Sequence, residues 1–223
     1  MRRNVSLEEI SDGRLYGSND MVKADCHGCK GCARCCQGMG ASVVVDPYDA
    51  YRLQDGLGKT IPQLLQEQRL ELNVVDGCIL PNLKMTGEQE RCAFLDEEDR
   101  CSIHESRPGI CRLFPLGRYY EDGDFKYFLQ VGECEEKSRS KVKVSKWIDT
   151  PNQRENHEFI CAWHKLLKEL EQAVSGEEAG ERSKNLNMAL LTVFYMTVYD
   201  VTQDFYAQFY DRLHMFREQL GMN

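Results

Sequence analysis

Cysteine sulfur is the donor whose type and spacing carry chemistry in this chain. Residues 26 to 36 read Cys26-His27-Gly28-Cys29-Lys30-Gly31-Cys32-Ala33-Arg34-Cys35-Cys36. A C-x2-C step can turn both sulfurs toward one metal ion, and its short loop also offers backbone N–H groups to the thiolates. Here the step is repeated. The side chains of adjacent cysteines tend to diverge, so one of Cys35 and Cys36 is expected to serve a second metal or a bridging position, or to stand beside the ligands. Cys26, Cys29, Cys32 and Cys36 follow the C-x2-C-x2-C-x3-C spacing of bacterial ferredoxins, in which the fourth cysteine serves another cluster. Gln37 stands where a proline usually follows, and there is no second full copy of the motif.

A second block lies further on. It comprises Cys92-Ala93-Phe94-Leu95, Cys101-Ser102-Ile103-His104 and Arg107-Pro108-Gly109-Ile110-Cys111-Arg112-Leu113-Phe114-Pro115, with Cys134 after it. With both blocks in order, the chain resembles the CxxCxxCC family, also called the YkgJ-like cysteine-cluster proteins, a zinc- or iron-chelating domain. Cys29, Cys32, Cys35 and Cys36 match the name motif. Cys92 with Phe94-Leu95, Cys101 with Ile103, and Arg107-Pro108 with Cys111 and Phe114-Pro115 match beyond it. The resemblance implies that these seven cysteines ligate metal, with Cys134 as the eighth. Cys26 departs from the pattern and is either an extra ligand or a spare thiol. His104 stands where an aromatic residue, usually tyrosine, is common. Either His27 or His104 can replace a cysteine in the shell. A related cysteine cluster occurs in flagellin lysine methylases, which opens a link to protein methylation.

The spacing favours an iron–sulfur cluster over zinc. Zinc sites with four thiolates normally use two C-x2-C knuckles held apart by a spacer, whereas here the steps are packed together. Arg107 and Arg112 are candidates to neutralise cluster charge at the cofactor, set against ordinary surface salt-bridging. Cys78 and Cys161 fall outside the matched blocks and read as core thiols, since cysteine packs well. His157 and Cys161 stand four residues apart, with His164 three residues beyond. That face can chelate a metal, although a solvated polar helix face is the commoner meaning of such a pattern.

Eleven cysteines without a secretory leader point to a reducing, cytoplasmic setting, where clustered cysteines bind metal or catalyse. A formal charge of -8 argues against a nucleic-acid partner. The longest apolar stretch, residues 186 to 199, falls short of the roughly 20 residues that span a bilayer, so no membrane contact is expected. Three functions remain open. One is a metal-binding module that is redox-active or accessory to a protein partner. Another is a metal-dependent enzyme with a protein substrate. The last is a structural zinc protein.

The elements that must position these donors give an α+β fold, a cysteine-rich, metal-organised body of short strands and hairpins followed by C-terminal helices. Residues 1–25 read as a polar arm or irregular lead-in, 26–150 as the cysteine-cluster domain and 151–223 as a helical region packed on it. Residues 26 to 40 hold five cysteines and four glycines, which suits backbone wrapped around an ion. Val43-Val44-Val45 reads as a strand. Asp46-Pro47 and Thr60-Ile61-Pro62 are helix starts. Asp76-Gly77 and Asp122-Gly123 are hairpin turns. Residues 135–146 read as a charged connector and 175–184 as a loop. Phe159, Ile160, Trp163, Leu166, Leu167 and Leu170 recur at helical spacing. A broken helix or a pair of helices then runs from residue 186, closed by Gly221.

Overall fold

The computed structural model describes residues 6–26, 33–134, 136, 138–174 and 179–221. Cys29, Cys32 and His27 lie outside the described residues, as does the centre of the loop expected near residue 176.

The polar beginning is not an irregular arm. After a one-turn helix α1 (Leu7–Ile10) come strands β1 (Ser11–Tyr16) and β2 (Met21–Asp25). Helix α2 (Pro47–Leu57) starts where Asp46-Pro47 indicated. The Asp46 carboxylate accepts the Asp49 N–H at 2.8 Å and the Asp49 carboxylate accepts the Asp46 N–H at 3.2 Å, so a reciprocal box closes the first turn. Helix α3 (Ile61–Gln66) has the same box between Thr60 and Gln63. Strands β3 (Leu70–Val75) and β4 (Cys78–Leu83) pair across Asp76-Gly77, both at positive φ, which is what a two-residue turn matching strand twist requires.

Two short strands, β5 (Met85–Thr86) and β6 (Arg91–Cys92), and helix α4 (Gly109–Leu113) lead to β7 (Leu116–Glu121) and β8 (Asp124–Gln130). β7 and β8 form the second expected hairpin, and β1 adds to the other side of β8, giving an antiparallel sheet in the order β1-β8-β7. The charged connector supplies β9 (Ser140–Lys143), which pairs with β2, and helix α5 (Val144–Ile148). Val43-Val45 is not a strand of its own. Val45 N–H donates to the Pro81 carbonyl at 2.8 Å and Leu83 N–H to the Val43 carbonyl at 3.0 Å, and Pro81 has no N–H to extend the ladder.

The C-terminal part is α6 (Gln153–Ala173), α7 (Ala179–Leu191), a π-helical turn (Thr192–Met196) and α8 (Phe205–Gln219). Gly221 takes φ 61° and its N–H reaches the Glu218 carbonyl, ending the last helix. Residues 179–184, expected as loop, are already helical.

One large apolar cluster runs from Val43 to Phe216 and joins α2, β4 and the cysteine segments to α6, α7 and α8. Phe159 of α6 is its hub, wholly buried against Tyr48, Phe205, Tyr206 and Phe209. Full burial of one such ring is worth about 1.5–3 kcal/mol, and each favourable aromatic pair about 0.5–1.5 kcal/mol more. A smaller cluster, including Val22, Leu113, Leu116, Leu129 and Ile148, fills the space between α4, α5 and the strands. Among the described residues no helix is long and apolar enough to cross a membrane.

Candidate metal centre

Three separate stretches of chain carry described cysteines of the two sequence blocks. The first is a 3-10 turn, Arg34–Cys36, entered by Ala33 at φ 47°. Cys36 N–H closes it on the Ala33 carbonyl at 2.8 Å, and the Cys35 and Cys36 sulfurs stand 3.9 Å apart. Gln37 then bridges Arg91, and Gly38 N–H donates to the Glu90 carbonyl at 3.0 Å. The turn is thereby pinned beside β6 and Cys92.

The second stretch runs from Cys92 to Ile103. Cys92 is 7% exposed. The Phe94 N–H faces the Cys92 sulfur and the Ile103 N–H faces the Cys101 sulfur, each lowering the thiol's pKa against the effect of burial. Leu95 bridges Cys101, and Ser102 N–H reaches the Phe94 carbonyl at 2.9 Å, so the two sulfur-binding turns are tied face to face. A backbone donor two residues past each cysteine stabilises thiolate over thiol.

Helix α4 is the third. It carries Cys111, half-buried and packed against the large core, with Cys92, Asp49, Cys35 and Cys101 as its electrostatic neighbours. Burial pushes the Cys111 thiol well up, and those four neighbours add to it. Burial also raises Cys92 and Cys101, opposed by their backbone donors and by the Arg69 and Arg107 charges respectively. Without a cation the set holds protons. A bound metal cation reverses that balance, because it deprotonates a coordinating thiol outright.

Asp49 holds this arrangement in place, and the sequence reading passed over it. It is 2% exposed, and its Oδ1 accepts the Gly109 N–H at 2.7 Å, which ties the start of α4 to the first turn of α2. Burial and the neighbouring Asp46 charge raise the Asp49 carboxyl, while the Gly109 and Asp46 N–H groups and Arg112 hold it down. The Arg118 guanidinium lies in the same interior. Burial disfavours its charge, but Tyr120, Tyr127, Asp46 and Asp49 keep it raised. The signal for Asp49 was the Asp46-x-x-Asp49 capping pair. Nothing local marked Arg118.

The remaining candidates are placed as follows. Cys26 directly follows β2 and Cys134 comes four residues after β8, both half-buried. Arg107 meets the His104 ring nitrogen at 2.6 Å. Arg112 donates to the Asp149 carbonyl at 3.0 Å and to the Thr150 hydroxyl at 3.1 Å, so its guanidinium ties α4 to the end of α5. Cys78 is buried in the large core, as expected. Cys161 packs against that core but also points its thiol at the Asp124 carboxylate, at 3.8 Å. The face expected of His157, Cys161 and His164 is assembled differently. The His164 ring stacks on Tyr120 at 3.8 Å, and Asp124 of β8 joins the other two, 2.6 Å from His157 Nε2.

Thiols are the donors that a thiophilic metal takes, and the described stretches carry five of them in Cys35, Cys36, Cys92, Cys101 and Cys111, of which Cys35 and Cys36 stand 3.9 Å apart. The family model CxxCxxCC, described as "Putative zinc- or iron-chelating domain", matches residues 28–157, more than half of the chain, and the protein belongs to that family. No curated protein and no solved structure matches the chain.

Proposed function

We propose that the protein is a cytoplasmic metal-binding module that carries an iron–sulfur centre. In this reading Cys35, Cys36, Cys92, Cys101 and Cys111 hold it together with Cys29, Cys32 and Cys134, and Cys26 is a further thiol at the edge. The observation that supports the proposal is the Cys35–Cys36 turn, whose two sulfurs stand 3.9 Å apart and which backbone contacts tie to the strand that ends in Cys92. Packed thiols that repel one another's ionised forms call for a cation. The ferredoxin-like spacing of Cys26, Cys29, Cys32 and Cys36 favours iron with sulfide over a bare ion.

A cluster so held supplies one-electron chemistry, and the module serves a redox step or a protein-modifying partner. This chain's own groups act on the sulfurs. Phe94 and Ile103 N–H groups orient two of them, Arg69 and Arg107 offset their charge, and Asp49 fixes the helix that bears Cys111. Zinc is the second reading, favoured by the paired N–H···S turns at Cys92 and Cys101, a geometry that equally suits zinc thiolates. Anaerobic purification followed by a visible spectrum and assay of iron, sulfide and zinc decides between them. Iron with matching sulfide and a broad visible band supports the cluster. Zinc without sulfide overturns it.

A further inference from the structure

Asp124, His157 and Cys161 stand apart from the cysteine pocket, on the β7–β8 hairpin and one face of α6. Their ligand atoms, a carboxylate oxygen, the imidazole Nε2 and a thiol sulfur, all lie within 4.8 Å of one another. We propose that these three residues form a second metal site, for zinc(II), with an exchangeable fourth position.

The geometry is close to what zinc requires. Zinc bonds of about 2.0–2.3 Å to oxygen, nitrogen and sulfur set donor atoms about 3.3–3.8 Å apart around a tetrahedron. Cys161 Sγ and Asp124 Oδ1 are already at 3.8 Å. His157 Nε2 and Asp124 Oδ1 are at 2.6 Å, a hydrogen bond, and need to part by less than about 1 Å to admit the ion. The donors are held on rigid elements. His157 and Cys161 are one helical turn apart on α6, so they share a face. The His157 ring stacks on Phe125 with centroids 4.4 Å apart, and the Phe125 N–H fixes Asp124 Oδ1 at 2.7 Å. One oxygen, one nitrogen and one sulfur donor exclude a magnesium- or calcium-type site and suit a borderline ion.

A nucleophile relay built from the same residues would look different. There the thiol faces one ring nitrogen and the carboxylate faces the other. Here the thiol and the ring nitrogen both point at a single Asp124 oxygen, which is convergence on one point. The Asp124 and His157 side chains are 70% and 41% exposed, which leaves the point of convergence open to a fourth ligand from solvent. Three protein ligands and one open position make the arrangement of a zinc site that exchanges ligands, whereas structural zinc sites are closed by four.

The test uses the full chain, purified with its cysteine-pocket metal in place, equilibrated with zinc(II) against a weak chelator and desalted. Zinc, iron and sulfide are then measured in wild type and in His157→Gln, Asp124→Asn and Cys161→Ser. The expected result is one zinc fewer per chain in each variant, with zinc binding weakened more than about 100-fold, since even an outer-shell change costs 10–100-fold. Zinc should raise the thermal midpoint of wild type and leave that of the variants unmoved. Asp124 sits at an exposed hairpin edge, so Asp124→Asn tests the site with the fold intact. Equal zinc content and an equal zinc-dependent shift in wild type and Asp124→Asn would overturn the proposal and leave a hydrogen-bonded Asp–His pair. Failure of the cysteine-pocket reading shows separately, in the iron and sulfide values.

Discussion

Replacing Asp49 tests whether the sulfur pocket depends on a buried carboxylate several residues from any cysteine. Asp49 accepts two backbone donors, Gly109 N–H at 2.7 Å and Asp46 N–H at 3.2 Å, in an interior that leaves it 2% exposed. In Asp49→Ala both donors lose their acceptor where water has little access. At about 1–3 kcal/mol for each unsatisfied buried group, the loss comes to about 2–6 kcal/mol. Removing a carboxylate that burial and Asp46 already disfavour offsets part of this, so the lower half of that range is expected. Asp49→Asn keeps one acceptor and turns an N–H toward the other donor, which costs about 1–3 kcal/mol. Urea unfolding should show the midpoint falling in the order wild type, Asn, Ala, with the slope unchanged. Because Gly109 opens the helix that carries Cys111, metal content should fall in the same order. If Asp49→Ala unfolds within about 0.5 kcal/mol of wild type and keeps all its metal, the tie between α2 and α4 does not hold the pocket together.

Cys111→Ala should abolish metal retention, while Cys78→Val should leave metal content unchanged; equal loss in both would erase the division between pocket and core thiols. Burial lifts the Cys78 thiol from 9.0 to about 11, so the folded chain keeps a proton that the unfolded chain gives up. Stability from this group is therefore intact below about pH 9 and falls as pH rises from about 9 to about 11, and unfolding of Cys78→Val should show a shallower decline across that window. A Cβ on Gly56 would sit 1.8 Å from the Ser106 hydroxyl and 2.8 Å from its Cβ. Gly56→Ala should cost about 1–2 kcal/mol, lowering the thermal midpoint by about 2–8 °C, and an unchanged midpoint would mean that α2 and the loop after Cys101 are not in close contact.

Local signals carried much of this architecture. The Asp46-Pro47 and Thr60-Ile61-Pro62 starts, both Asp-Gly turns and the α6 stripe are set by interactions within a few residues, and each stands where the sequence placed it. The N-terminal strands were hidden for a physical reason. β1 reads Ser-Asp-Gly-Arg-Leu-Tyr and is mostly exposed, so it has no apolar alternation, and its partner β8 lies more than 100 residues away. β9 sits in a charged stretch and pairs equally far back, with β2. The Val43-Val45 run had strand composition, but its partner edge contains Pro81. At the sites, spacing picked out the cysteines, while Asp49, Arg118 and Asp124 are brought in by tertiary folding. Asp124 meets His157 across 33 positions of sequence, a distance over which no periodicity speaks.

The apolar interior that runs from Val43 to Phe216 bears on how this protein can be divided. The family match ends at residue 157, inside α6, two residues before Phe159. A chain cut at that boundary would strip Tyr48 of the ring of Phe159, and of Phe205 and Tyr206 with it. α2, whose first turn tethers the Cys111 helix, would then present its inner face to water. The chelating segment is thus not a detachable cassette. The family pattern records where the sulfur donors are, and the helices beyond it supply the body without which those donors have nothing to lean on.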